Sequence, residues 1–415
     1  MSSSTIHLSC EEAPAGSADS AGDTLSLLVQ LCARAHRSGG ESSEIKALFR
    51  NAAESDWGAL LDGAAAHSVA PLVCKRLPEL CGDALPAHWR ERFRQEFVAG
   101  VHRNLYLTAQ LVRVLRALER AGVQAMPFKG PVLAEQAYGD LALRNFCDLD
   151  IVLPHSQIGE AHRAMESLDY RSESAAALAE GRIPGQYVYR SHVRGTLVEL
   201  HTEKTMRYLP VPLDWKALER RFETVSLSGQ PLRTFSVEDT LTLVCVHGTK
   251  HFWTRLGWIC DVAELVQAPR GIDWQQAETV ARGMQCHRMW LLGLALANQI
   301  LAAPLPETVA RQIGSDARVQ ELARRVREHY LRGGESSVSA GERLHFRANS
   351  QDTLATGLRQ IGVFATRPTD EDWQLCSLPR WAAPLYAILR PLRMLREYGL
   401  SRAPEMRPSS KKSNG

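Results

Sequence analysis

The chain lacks any paired spacing among its nine cysteines. Cys10, Cys32, Cys74, Cys81, Cys147, Cys245, Cys260, Cys286 and Cys376 are scattered, and no C-x-x-C occurs. An odd, unpatterned set argues against a disulfide framework and for reduced thiols in a cytoplasmic protein. No apolar run approaches the ~20 residues that span a bilayer, so no transmembrane segment is expected. Met1-Ser2-Ser3-Ser4 is not a basic stretch leading into an apolar one, so no secretory signal is expected either. An excess of charge of one sign is also missing. With 49 Lys and Arg against 46 Asp and Glu, the net charge is only +3, which disfavours a long nucleic acid as partner. There is no internal repeat.

What is present is enough apolar material for real cores: 415 residues, 45% hydrophobic, room for two or three structural units. Residues 1–22 are rich in Ser, Ala, Gly and Glu and read as disordered, as does the tail 402–415. Helical periodicity marks Thr24–Arg37, Ile45–Asn51, Trp57–Ser68 and a long helix from Pro86 to Ala121. In that helix Leu105, Leu107, Leu111, Leu115 and Leu118 suggest an apolar stripe. Ala121-Gly122 stops it, giving a helical region over 23–121. A mixed region, 122–236, follows. It reads as a strand at Val123–Phe128, a helix at Pro131–Tyr138, a turn at Gly139–Phe146, a strand at Asp148–Leu153, a helix at Ile158–Leu168 and a strand at Thr196–His201. Helices resume over 237–332 (Val237–His251, Trp258–Val266 and one or two within Trp274–Leu301). A Gly/Ser-rich flexible loop is expected at 333–342 and a last helical region at 343–401. The fold class is therefore α+β, a small mixed sheet embedded in a predominantly helical chain.

Cys147-Asp148-Leu149-Asp150-Ile151-Val152-Leu153 places two carboxylates in an apolar strand. Alternation puts Asp148 and Asp150 on one face, roughly 6–7 Å apart, with Leu149, Ile151 and Leu153 on the other. Adjacent anions in an apolar strand are costly without a cation. Mg²⁺ suits such a place, because it prefers one or two carboxylates plus substrate phosphates. The plain alternative is a solvated strand end. In Thr196-Leu197-Val198-Glu199-Leu200-His201, Glu199 and His201 share a face. If that strand lies beside the first, Glu199 joins the aspartates. Three such acids could hold two Mg²⁺ ions that orient a nucleoside triphosphate. An edge carboxylate in water is the alternative for Glu199.

These segments resemble nucleotidyltransferases of the DNA-polymerase-beta type, and more closely a bacterial group of uncharacterised nucleotidyltransferase family proteins. The resemblance is carried by Lys129-Gly130-Pro131-Val132-Leu133-Ala134, Tyr138-Gly139-Asp140, Arg144, Asp148-Leu149-Asp150-Ile151 and Glu199-Leu200-His201. Weaker similarity covers Trp57 to Val73, His247-Gly248-Thr249-Lys250-His251, Leu256 to Asp261 and Asp372 to Met394. It implies that Asp148, Asp150 and Glu199 are the catalytic metal carboxylates, with Mg²⁺ or Mn²⁺ as cofactor and an NTP such as ATP as substrate. It implies that Lys129-Gly130 faces the phosphates, where Gly130 lets the backbone approach. The reaction implied is transfer of NMP to a hydroxyl, amine or phosphate acceptor with release of pyrophosphate. The acceptor is open: a small molecule, a product of a biosynthetic cluster, a protein or an RNA end. Phosphoryl transfer at the same site, or non-catalytic nucleotide or partner binding, are the alternatives.

Two features depart from the broad superfamily. Its usual Gly-Ser is Gly130-Pro131 here, and the connection from Gly130 to Asp148 is long. Lys129 and Arg144 could substitute as phosphate ligands, or could pair structurally with Asp140 or the aspartates. His247 and His251 share a helix face, but the Gly-Thr-Lys between them lacks the glutamate of a zinc-protease motif, so packing or a cleft lining is favoured over zinc. Lys250 could reach a phosphate. Asp261 reads as a helix anchor, His201 as a residue supporting the metal site or a core histidine, and Cys147 as packing. In Trp381–Tyr398 an apolar stripe of Leu385, Ile388, Leu389, Leu392 and Leu395 alternates with Arg390, Arg393 and Arg396. Pro384 and Pro391 interrupt it, which favours docking on protein over a lipid surface.

Overall fold

The computed structural model describes residues 54–172, 186–191, 195–202, 213–334, 338–353, 355–359 and 380–399, with isolated positions and short pieces elsewhere. Of the expected helix Thr24–Arg37, residues 24, 26–29, 31 and 32 are described and helical, while the expected helix Ile45–Asn51 and both expected disordered ends lie outside the described residues. Two compact units result, residues 1–357 and residues 358–415.

The first unit begins with helices α1 (Glu54–Ala66), α2 (Ala70–Cys81) and α3 (Ala87–Arg120). The buried stripe of α3 runs through Asn104, Leu107, Leu111, Val114 and Leu118. Leu105 is exposed. Residues 105 and 107 lie about 200° apart around a helix and cannot share its inner face. Asn104 takes the inner position because its amide donates to the carbonyls of Leu141 (2.7 Å) and Arg144 (2.9 Å).

Beyond Gly122 come β1 (Met126–Phe128), the short helix α4 (Gly130–Leu133) widening into a π-turn at Ala134–Tyr138, then β2 (Asp148–Leu153) and α5 (Ile158–Ser167). β3 (Tyr170–Ser172), β4 (Gln186–Ser191) and β5 (Leu197–Thr202) complete a five-stranded sheet of order β1-β2-β5-β4-β3. β2 and β5 are parallel and the other neighbours antiparallel, so the sheet is mixed, as the α+β reading requires. Leu149, Ile151, Leu153, Val198 and Leu200 form one core with Leu107, Leu111, Val114 and Leu118 of α3 and Ala161 and Met165 of α5. The opposite face carries Met126, Phe128 and Val152 against Phe235, Leu243 and Val246.

After helix α6 (Trp215–Glu219), a hairpin of β6 (Glu223–Leu227) and β7 (Gln230–Thr234) turns at Ser228-Gly229, both at positive φ. That is the two-residue primed turn whose twist fits a hairpin. A helical body follows: α7 (Val237–Lys250), α8 (Leu256–Gln267), α9 (Trp274–Gly283) and α10 (His287–Leu301), then α11 (Glu307–Ser315) and α12 (Ala317–Arg325). α7, α8 and α10 pack in a core with Trp253 and Trp290. Gly248 is required there by close approach, since a Cβ would lie 2.5 Å from the Trp253 ring.

The segment expected as a flexible loop is divided. Gly333 closes a helical turn, residues 335–337 lie outside the described residues, and Ser339 caps α13 (Ala340–Asn349) in a reciprocal box with Glu342. The Ser-x-x-Glu pattern carried that signal in the sequence.

In the second unit, helix α14 (Tyr386–Gly399) contains Pro391. The buried Asp372 carboxylate accepts from Arg390 and Arg393, each at 2.7 Å. Two of the arginines in the amphipathic pattern therefore serve a buried carboxylate. Among the described residues no helix is long and apolar enough to cross a membrane.

Candidate active site

The pairing of β2 with β5 assembles the acids. Asp150 stands opposite Glu199 in the parallel register, and Asp148 is opposite Leu197. Side chains at 148, 150, 199 and 201 project from one face of the sheet, while the intervening Leu149, Ile151, Val198 and Leu200 are fully buried on the other. Register sets Asp150 beside Glu199, while Asp148 shares their face but lies outside the group whose ligand atoms fall within 4.8 Å of one another.

Asp150 is almost fully buried and fully engaged. Its Oδ2 accepts from Lys129 Nζ at 3.2 Å and its Oδ1 lies 2.8 Å from His201 Nε2. Burial pushes this carboxyl upward, but the Lys129 ammonium and the His201 hydrogen bond prevail and hold it well below the usual range. Asp148 is placed differently. Burial and the neighbouring Asp150 charge raise its carboxyl to about 7, although Lys129 opposes them. Two adjacent acids therefore titrate apart, as expected for like charges sharing one low-dielectric place. Glu199 accepts from Gln186 Nε2 at 2.6 Å and lies 3.5 Å from His201 Nε2.

Lys129 sits in a strained bend between β1 and α4. Its φ is 57° and that of Gly130 is 45°. With its ψ at −151°, Lys129 occupies a region used almost only by glycine, at a cost of about 1–3 kcal/mol. The bend is what turns Nζ back over β2. A Cβ on Gly130 would meet the Asp148 carbonyl at an ordinary 3.6 Å, so conformation rather than space asks for glycine. Nζ also lies 4.8 Å from the Phe128 ring centroid, a cation–π contact.

Arg144 is committed elsewhere. Its Nε and Nη2 donate to Asp261 Oδ1 and Oδ2 at 2.8 and 3.0 Å, and Tyr138 OH donates to Oδ1 at 2.9 Å. Asp261, on α8, thereby clamps the turn before the acid strand to the helical body. Asp140 pairs with Lys75 of α2 at 3.2 Å. Neither partnership was readable, because ion pairs over 117 and 65 residues leave no local pattern.

Trp258 precedes Asp261 by three residues and so lies on the same side of α8. His247 and His251 of the adjoining helix meet it, with centroids 5.6 and 5.1 Å from the indole and 4.8 Å from each other. The Arg255 guanidinium is 5.6 Å from the same indole. Burial drives both imidazoles well below their usual value. Lys129 adds to this at each, and Lys250 does too. This half-buried wall is aromatic and cationic.

Asp150, Glu199 and His201 offer ligand atoms all within 4.8 Å of one another, the one such group of three or more among the described residues. The donor set fits a divalent ion. Gln186 Oε1 is buried beside Glu199 without a hydrogen-bond partner among the described residues. A separate cavity of about 570 Å³ lies between α6 and α9. Its ionic groups are occupied, Asp214 and Asp273 as helix caps and Arg221 with Asp239, and none of the acid cluster lines it.

Residues 53–302 match the sequence model of a family described as "Uncharacterised nucleotidyltransferase". No curated protein is significantly similar. Among solved structures, the antibiotic-resistance factor ANT(2'')-Ia in solution is 13% identical, with 55% of this chain and 100% of that chain covered and a TM-score of 0.28. Its crystal structure with adenylyl-2''-tobramycin gives 13%, 54%, 98% and 0.27. An antigenic nucleotidyltransferase-like protein from Paracoccidioides brasiliensis gives 17%, 49%, 96% and 0.30. These values are too low to transfer an acceptor.

Proposed function

Because the chain belongs to the uncharacterised nucleotidyltransferase family, we propose that it transfers NMP from an NTP to a hydroxyl, amine or phosphate acceptor, using Asp148, Asp150 and Glu199 as metal carboxylates. The observation that carries this reading is the register that sets Asp150 beside Glu199, with Asp148 on the same face. Asp148, Asp150 and Glu199 would hold Mg²⁺ or Mn²⁺, which would supply charge neutralisation to the triphosphate.

The chain's own groups do the rest. Lys129 balances Asp150 before substrate arrives, and its ammonium is placed to share its charge with a phosphate. Gly130 lets the backbone pass close beneath. The cationic wall of Lys250 and Arg255 with the two imidazoles favours a polyanion on the helical side. Glu199 keeps one oxygen on Gln186, and its other oxygen is where an acceptor would leave its proton. Arg144 and Asp261 fix the wall relative to the acid strand.

Labelled NTPs, Mg²⁺ or Mn²⁺ and a panel of acceptors test this. Acceptor-dependent pyrophosphate release that disappears in Asp150→Asn supports it. Release of NDP would establish phosphoryl transfer instead, and absence of metal-dependent NTP binding would overturn the reading.

A further inference from the structure

We propose that His201 is itself a metal ligand, so that the ion held with Asp150 and Glu199 sits in a mixed nitrogen–oxygen shell and Mn²⁺ is preferred over Mg²⁺. The inference rests on the metal-dependent reading of this site and specifies its chemistry.

The geometry is direct. His201 Nε2 is 2.8 Å from Asp150 Oδ1 and 3.5 Å from Glu199 Oε2. Neighbouring ligand atoms in an octahedral shell with bonds of about 2.1 Å lie about 3 Å apart. The two observed distances bracket that edge, so an ion can enter with small side-chain shifts. The imidazole is not free to turn away. It is buried, and Phe128 meets it edge-on with centroids 5.4 Å apart. β5 points it and Glu199 in the same direction. An imidazole meant only to orient an acid would need contact with that acid alone, whereas Nε2 reaches carboxylates on two strands.

Ligation requires Nε2 to give up its hydrogen bond to Asp150. In the neutral ring the proton moves to Nδ1, and the Nε2 lone pair takes the ion. Imidazole is a softer donor than carboxylate or water and suits transition metals, while Mg²⁺ demands oxygen. Gln186, whose amide nitrogen holds Glu199, keeps a buried oxygen without a hydrogen-bond partner beside the site.

Electron spin-echo spectroscopy of the full chain with one equivalent of Mn²⁺ tests the proposal. Wild type should show modulation from a directly bound imidazole ¹⁴N. His201→Gln should lose it while still binding Mn²⁺ at least tenfold more weakly. His201→Asp should restore an all-oxygen shell, without the modulation, and shift preference toward Mg²⁺. Tight Mn²⁺ binding to wild type without nitrogen modulation overturns the His201 assignment and leaves the acid site standing. No Mn²⁺ binding at all overturns both. Thermal melting of each metal-free variant separates loss of fold from loss of ligation.

Discussion

Lys129 Nζ and Asp150 Oδ2 form a buried ion pair at 3.2 Å, with side-chain exposures of 10% and 3%. Removing one partner of such a pair costs about 3–5 kcal/mol, since the other charge is left uncompensated. Lys129→Met should therefore lose about that much stability in EDTA, measured by urea unfolding. Mn²⁺ should return a larger share of stability to the variant than it adds to wild type. Equal gains in both would show that the lysine and the ion do not answer the same charge.

Asp148 sets a pH dependence. Burial first, then Asp150, raises its carboxyl from 3.8 to about 7 in the metal-free chain. A raised acid contributes stability that is complete below its unfolded value and is lost as pH climbs through its folded value. Metal-free protein should lose stability between about pH 4 and 7, and Asp148→Asn should flatten that slope. Metal binding favours the carboxylate, so stabilisation by Mg²⁺ or Mn²⁺ should grow over the same interval. Melting curves across pH, with and without ion, decide it.

Replacing Asp148 or Asp150 with Asn, or Glu199 with Gln, should lower turnover about 10³-fold, because several kcal/mol of charge stabilisation disappears at about 1.4 kcal/mol per tenfold. Steady-state pyrophosphate release with folding checked by circular dichroism is the measurement. A variant with intact turnover loses its assigned role.

Arg144 and Asp261 offer a separation of structure from substrate binding. Asp261→Asn should destabilise the chain by about 3 kcal/mol, as expected of a broken buried pair. If Arg144 also meets phosphate, Arg144→Ala should weaken NTP binding beyond what Asp261→Asn does under conditions where both are folded. Identical NTP affinities would confine Arg144 to the clamp.

Lys250 belongs to the helical wall. Lys250→Met should weaken NTP binding about tenfold and leave Mn²⁺ affinity unchanged, with the loss shrinking at high salt through screening. Isothermal titration at two ionic strengths reads both.

The facing of each pair of polar residues was legible because a strand repeats every two residues. Alternation alone puts Asp148 and Asp150 on one face of their strand and Glu199 and His201 on one face of theirs, while the meeting of the two pairs needed the β2–β5 register. The long helix was legible too, but its inner stripe was misjudged at Leu105, because Asn104 satisfies two carbonyls that only the tertiary fold brings near. β3 and β4 carried too few apolar residues to stand out, and β4 alternates buried tyrosines with half-buried or exposed neighbours. The β6–β7 hairpin did have a signal in Ser228-Gly229. His201 could be placed on the face of Glu199 but not against Asp150, since that contact depends on strand register.

The sheet order has a consequence for how the chain folds. β1 and β2 meet antiparallel, and Lys129 reaches Asp150 across 21 residues, whereas His201 reaches it across 51. Shorter closures form at lower entropic cost, and parallel pairing must await its crossover. This predicts that Lys129 reaches Asp150 before Glu199 docks beside it, an order that folding rates of Lys129 and Glu199 variants would check.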